Sequence, residues 1–198
     1  MEEALGATFD HMAILSPRDI AEFWTVVPRF LQKRGKRHTN KREEEHMFHQ
    51  FDTISICTME DIETFRGRDY LSTTALGLAK TVKIVGNSGK RPPKGSPHLI
   101  LQHLLIGKNS DGKQLIFDRI ASTSVYILPE FDARSLSNFI YAYGLAECVS
   151  KFDDGSTIFD LFAMEAIPNL EKVNAQDLPN MRWSYATVEA PNPLSFRR

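Results

Sequence analysis

Two segments of the chain, Phe131 to Val149 (FDARSLSNFIYAYGLAECV) and Val173 to Ala190 (VNAQDLPNMRWSYATVEA), are copies of one pattern. With Gln176 set against Arg134, 42 residues earlier, Leu178 falls on Leu136, Asn180 on Asn138 and Trp183 on Tyr141. Tyr185 then falls on Tyr143, Ala186 on Gly144 and Glu189 on Glu147. A Phe-Asp pair inside an apolar stretch precedes each copy: Phe117 stands 17 residues before Arg134, and Phe159 stands 17 before Gln176. The same interval separates Phe51 from Arg68, which makes FRGRDYLSTTALGLAKTV a further copy with one extra residue near Tyr70. LSPRDIAEFWTVVPRFL, nearer the N-terminus, is a weaker fourth. A period of about 40 residues constrains the chain to stack like units, because each unit leaves an apolar face that only a neighbour can cover.

Each unit reads as two helices. Helix A opens on a capping residue, Ser16, Asp132 or Asn174, with Pro17 suited to the first helical position of the earliest unit. Leu136, Phe139, Ile140 and Tyr143 then recur at i, i+3, i+4 and i+7, the spacing of one buried stripe. Pro179 falls about a turn inside its helix, where it is expected to cost a backbone hydrogen bond. Helix B carries the Phe-Asp pair, as in Ile158 to Ala166, and SKFDDGS (Ser150 to Ser156) joins A to B. The expected fold is an all-α solenoid of stacked helical hairpins, about 3.5 repeats in a single domain over residues 8–198. Its units run near 16–65, 66–131, 132–173 and an incomplete 174–198, with Phe51, Phe117 and Phe159 in equivalent buried places. Loop insertions are expected at about 32–45 and 86–114, both rich in residues that break helices or carry charge. The last unit lacks its helix B, so the expectation is a fragment or a chain that continues into another domain.

Composition narrows the function classes. Among 198 residues, 42% are hydrophobic and 25% charged, enough for a sizeable core and outside the disordered range. A net charge of -1 offers no bulk attraction to nucleic acid or anionic lipid, so any such binding rests on local patches. Cys57 and Cys148 have no Cys-x-x-Cys or Cys/His ligand spacing, which argues against a disulfide framework and for a reducing compartment. The apolar run Leu99 to Gly107 is too short to span a membrane, and the N-terminus MEEALGATFD carries no visible signal or transit peptide.

Motifs for catalysis and cofactors are wanting. GKNSDGKQ (Gly107 to Gln114) has the glycine and lysine spacing of a phosphate-binding loop, but Gln114 stands where a Ser or Thr hydroxyl must hold magnesium, and no parallel-sheet pattern surrounds it. His46 and His49 have no third metal ligand nearby. No nucleophile, base and carboxylate set can be singled out, and the expectation is a protein that is no enzyme, with no cofactor, no metal and no small-molecule substrate.

The helix A segments, each preceded by a Phe-Asp helix, resemble the octotricopeptide-type repeats of algal and protist organelles, whose helix A commonly reads Phe-x-x-Gln-x-Leu-Ser/Ala-Asn-x-x-Trp-Ala-x-Ala. They are also similar to the helical repeats of the FAST kinase-like proteins and of a trypanosomatid RNA-editing substrate-binding complex component. Gln176, Leu178, Asn180, Trp183 and Ala186 match the pattern in the last unit, and Leu136, Ser137, Asn138, Ala142 and Gly144 match it in the third. Arg134 and Tyr141 depart from Gln and Trp, Thr73 stands where Asn is expected in the second unit, and Glu22 does so in the first. The resemblance implies an α-solenoid of mitochondrion or chloroplast that binds single-stranded RNA and acts in its processing, stability, editing or translation, within a ribonucleoprotein complex that can include protein partners. A protein-binding scaffold of the same architecture is the alternative.

Asn138 and Asn180 share one helix A position, and an amide offers both donors and an acceptor to a base edge. The same amides could equally form a structural ladder to the next helix. Arg68, Arg134 and Gln176, with Arg18, stand at helix starts, for phosphate contact or for solvation. Tyr141 and Trp183 could stack bases, but large aromatics in this pattern are expected in the core. Lys33, Arg34, Lys36 and Arg37, continued by Lys41 and Arg42, form the strongest basic run, able to follow a phosphate backbone or to sit in a solvated loop, and Glu43 to Glu45 partly cancel it. Lys90, Arg91 and Lys94 form a lesser patch.

Overall fold

A computed structural model describes residues 15–34, 58, 61–86 and 115–189. Among them lie six α-helices and no strand. They are α1 (Pro17–Arg34), α2 (Arg68–Gly86), α3 (Leu115–Ser124), α4 (Ala133–Ala146), α5 (Ile158–Ala166) and α6 (Asp177–Thr187). Short 3-10 helices occupy Ile62–Thr64, Leu128–Glu130 and Ile167–Lys172. Phe51, Lys36, Arg37, Lys41, Arg42, His46, His49, Cys57 and the stretch 87–114 lie outside the described residues.

Capping chemistry sets the helix starts. The Asp132 carboxylate accepts the Ser135 N–H at 2.7 Å and opens α4. Thr157 and Asp160 close a reciprocal capping box on α5, and Ser16 and Asp19 do the same on α1. At α6 the Asn174 side chain accepts from the N–H groups of Gln176 and Asp177, both at 2.9 Å. The Leu178 N–H already reaches the Asn174 carbonyl four residues back at 3.4 Å, so Pro179 lacks the next bond of the ladder, to the Ala175 carbonyl, and the regular helix begins only at Asp177. The backbone bond expected to be lost there is lost. The first insertion, by contrast, begins later than expected: Gln32, Lys33 and Arg34 complete the last turn of α1.

The most extensive packing joins α1 to α2, α2 to α4 and α4 to α6, so these four helices form one row. They run parallel. The Ser135 hydroxyl at the start of α4 donates to the Asp69 carboxylate at the start of α2 (3.0 Å), and the Ser137 hydroxyl donates to the Asp177 carbonyl at the start of α6 (3.3 Å). In α1, Pro28 has no N–H for the Trp24 carbonyl, and that carbonyl faces Gly77 of α2. A Cβ on Gly77 would collide with it, so only glycine lets the two backbones come this close. Gly144 does the same for α4 and α6, where a Cβ would lie 2.8 Å from the Ser184 Cα.

The shorter helices cover the seams. α3 packs on α2, and the Tyr143 hydroxyl of α4 reaches across to the Phe117 carbonyl of α3 at 2.7 Å. α5 packs on α4, and the Tyr185 hydroxyl of α6 reaches the Phe159 carbonyl of α5 at 2.8 Å. The rings repeat the geometry: Phe117 meets Tyr143 edge-on with centroids 5.3 Å apart, and Phe159 meets Tyr185 edge-on at 5.1 Å. Both phenylalanines are buried.

The path into α2, α4 and α6 also recurs. The 3-10 helix Ile62–Thr64 is followed by extended Phe65, Leu128–Glu130 by extended Phe131, and Ile167–Lys172 by extended Val173. Their N–H groups return to the Ile62, Leu128 and Leu170 carbonyls. Burial agrees with the alignment made from sequence. From Leu71 to Ala79 on α2 and from Leu136 to Gly144 on α4, buried and half-buried residues alternate in the same order, with Thr73 beside Asn138 and Leu76 beside Tyr141.

Candidate nucleic-acid interface

The row presents two places where the sequence-derived residues gather. The first is the edge formed by the helix starts. Arg134 is exposed and has no ion pair or side-chain hydrogen bond among the described residues. It borders an open depression of about 480 Å³ with Asn169 and Lys172, whose ammonium donates to the Asn169 side chain at 3.0 Å. Gln176 is exposed at the start of α6. Arg68 is a structural tie between elements. Its guanidinium donates to the Glu130 carbonyl at 2.6 Å and lies 3.7 Å from the Asp132 carboxylate, holding the start of α2 to the turn before α4. Arg18 pairs with Glu22 one turn on.

Lys33 and Arg34 are not part of this edge. They end α1 whereas Arg18 begins it, and at 1.5 Å per residue the two ends stand about 25 Å apart. The candidate phosphate contacts therefore divide between the two edges of the row.

The second place is the face of the row turned away from α3 and α5. Asn138 and Asn180 are half-buried there, and neither amide side chain bonds another described residue. The ladder reading of these amides is thus corrected: Ser135 and Ser137 make the bonds between row helices. Trp183 is corrected as well. It is 39% exposed rather than core, and its ring lies 5.4 Å from that of half-buried Tyr141 on the neighbouring helix.

Lys83 of α2 places its ammonium 5.5 Å from the centre of the Trp183 ring, reaching past α4, which lies between their helices. Lys80 stands one turn earlier on α2. Partial burial holds its ammonium below the ordinary lysine range, and the like charge of Arg29 on α1 adds to the effect. Sequence reading missed Arg29, Lys80 and Lys83 because they are isolated in sequence. Their spacing from Thr73 and Leu76 was the available signal, since Lys80 follows Leu76 by one turn on the same face.

Cations, paired aromatic rings and free amides on one surface can neutralise phosphate, stack a base and bond its edge. Nothing in this group couples a nucleophile to a base. No cluster of metal-ligating side chains occurs among the described residues, and no described helix is long and apolar enough to cross a membrane. Comparison of the chain with protein-family models, curated proteins and solved structures returned no match.

Proposed function

We propose that this chain is an α-solenoid of stacked helical hairpins that binds single-stranded RNA on the outer face of its row of parallel helices. The observation that carries this reading is the cluster of Lys83, Trp183 and Tyr141 beside the unbonded amides of Asn138 and Asn180. Single-stranded RNA is recognised through unstacked bases, which need an aromatic or guanidinium plane and a hydrogen-bonding partner for their edges. The solenoid reading is supported by the twofold recurrence of the tyrosine-to-carbonyl bond and the threefold recurrence of the 3-10 turn with its extended residue. A role in organellar RNA processing, stability, editing or translation is supported by the resemblance of the helix A segments alone.

Crosslinking followed by sequencing of the bound RNA from cells tests the proposal, with selection from a randomised RNA pool as its counterpart in solution. Asn138→Ala and Asn180→Ala should change the selected sequences while leaving the salt slope of affinity as it was. Absence of binding to any RNA, with a protein recovered on the same surface, would replace RNA by a protein ligand and make the chain a scaffold.

A further inference from the structure

The outer face is not uniform along the row. Its first rank, one turn into each helix, reads Glu22, Thr73, Asn138 and Asn180 from α1 to α6; the second reads Thr25, Leu76, Tyr141 and Trp183; the third reads Arg29, Lys80, Leu145 and Thr187. Amides and rings therefore belong to α4 and α6, and cations to α1 and α2. Lys83 joins the halves, since it is rooted in α2 and rests on the ring of α6.

We infer that the face has a fixed polarity: α4 and α6 hold two unstacked bases, α1 and α2 hold the phosphates beside them, and Lys83 leaves the Trp183 ring for a phosphate when a base takes its place. The inference rests on the RNA reading and assigns the halves of that site. The Tyr141 and Trp183 rings lie 5.4 Å apart and are tilted by 58° to each other, whereas successive stacked nucleotides lie parallel and rise about 3.4 Å. Bases seated on Tyr141 and Trp183 must be splayed, which a duplex does not permit. An ammonium over an exposed indole is weakly held, and base stacking on the same ring is the stronger contact. The displaced ammonium then gains a phosphate, so the exchange returns more than it gives up.

Tryptophan emission can follow this directly. Trp24 is fully buried and bonded to Thr58 at 2.9 Å, which leaves Trp183 as the exposed reporter of the two tryptophans. The probes are a ten-nucleotide oligouridylate and an abasic ribose-phosphate strand of equal length, titrated at several salt concentrations. The oligouridylate should quench Trp183, and the abasic strand should bind more weakly without quenching. Lys83→Met and Lys80→Met should each flatten the dependence of log affinity on log salt by about 0.7, one phosphate contact on a single strand, and keep the quench. Tyr141→Leu should weaken binding and leave that slope alone, with a melting curve confirming the fold. A slope unchanged by both lysine variants, or lowered by Tyr141→Leu, overturns the polarity while leaving RNA binding in place. No binding of either strand ends both readings.

Discussion

The closest approach in the molecule, Gly77 of α2 against α1, makes Gly77→Ala a sharp test of how the row is packed. The new Cβ would lie 2.7 Å from the Trp24 Cβ and 2.5 Å from its carbonyl carbon. Ordinary contact for such atoms is about 3.5 to 4.0 Å, so the two helices must part by roughly 1 Å. The obstacle is backbone, held by Ile20, Trp24 and Val27 in the core, and no rotamer change relieves it. Overpacking of this kind costs about 3 kcal/mol, and the better helix propensity of alanine returns about 1 kcal/mol. A net loss of about 2 kcal/mol lowers the melting temperature by roughly 4 to 8 °C in a chain of this size. Thermal melts followed by far-ultraviolet circular dichroism, with urea titration for the free energy, give both quantities. A variant that melts at or above the parent temperature would show that α1 and α2 do not touch at this point, and the row would lose its first member.

Three further outcomes follow from the same geometry. Tyr143→Phe and Tyr185→Phe each remove one buried hydroxyl-to-carbonyl bond and should each cost about 1 kcal/mol in urea titrations; unequal losses, one near zero, would mean the two layers are not equivalent. Asp132→Ala removes the cap of α4 and should cost about 1 kcal/mol. The Ser135 N–H bond holds the Asp132 carboxyl below its ordinary 3.8, against the opposing effect of burial. That stabilisation is full above 3.8 and is lost as pH falls through the lowered value, so parent and Asp132→Ala should converge in melts taken from pH 5 to pH 2. Glu147 and Glu189 both take left-handed backbone, at φ 51° and 54°. Glu147→Gly relieves a cost of about 1 kcal/mol at the C-cap of α4, offset in part by a freer unfolded chain, and a melting temperature raised by a degree or two is the expected reading.

Much of the row was legible in the sequence because caps and apolar stripes act locally. Asp132 and Asn174 mark where α4 and α6 begin, and the spacing of Leu136, Phe139, Ile140 and Tyr143 marks what α4 buries. The 3-10 turns were not legible: they depend on a hydrogen bond from Phe65, Phe131 or Val173 that leaves little compositional trace beyond Pro129 and Pro168. Trp183 misled for a physical reason. Its helix α6 is the last of the row among the described residues and is flanked there by α4 alone, and periodicity does not say which side of a helix will lack a neighbour. The basic run at Lys33 drew notice by its density, whereas Arg29, Lys80 and Lys83 converge only after α1, α2 and α6 are brought to one face.

Helix α3 rests on α2 and is bonded from α4; α5 rests on α4 and is bonded from α6. Each covering helix is therefore a strap across two row helices, and no break between units in the chain coincides with a break in the packing. A solenoid whose units meet only at flat interfaces can fray from its ends one unit at a time. In this chain, opening α6 pulls Tyr185 from the Phe159 carbonyl and loosens α5, and loosening α5 uncovers α4 in turn. Amide hydrogen exchange from α4 to α6 should accordingly report one shared opening energy, so that the three helices open as one cooperative length.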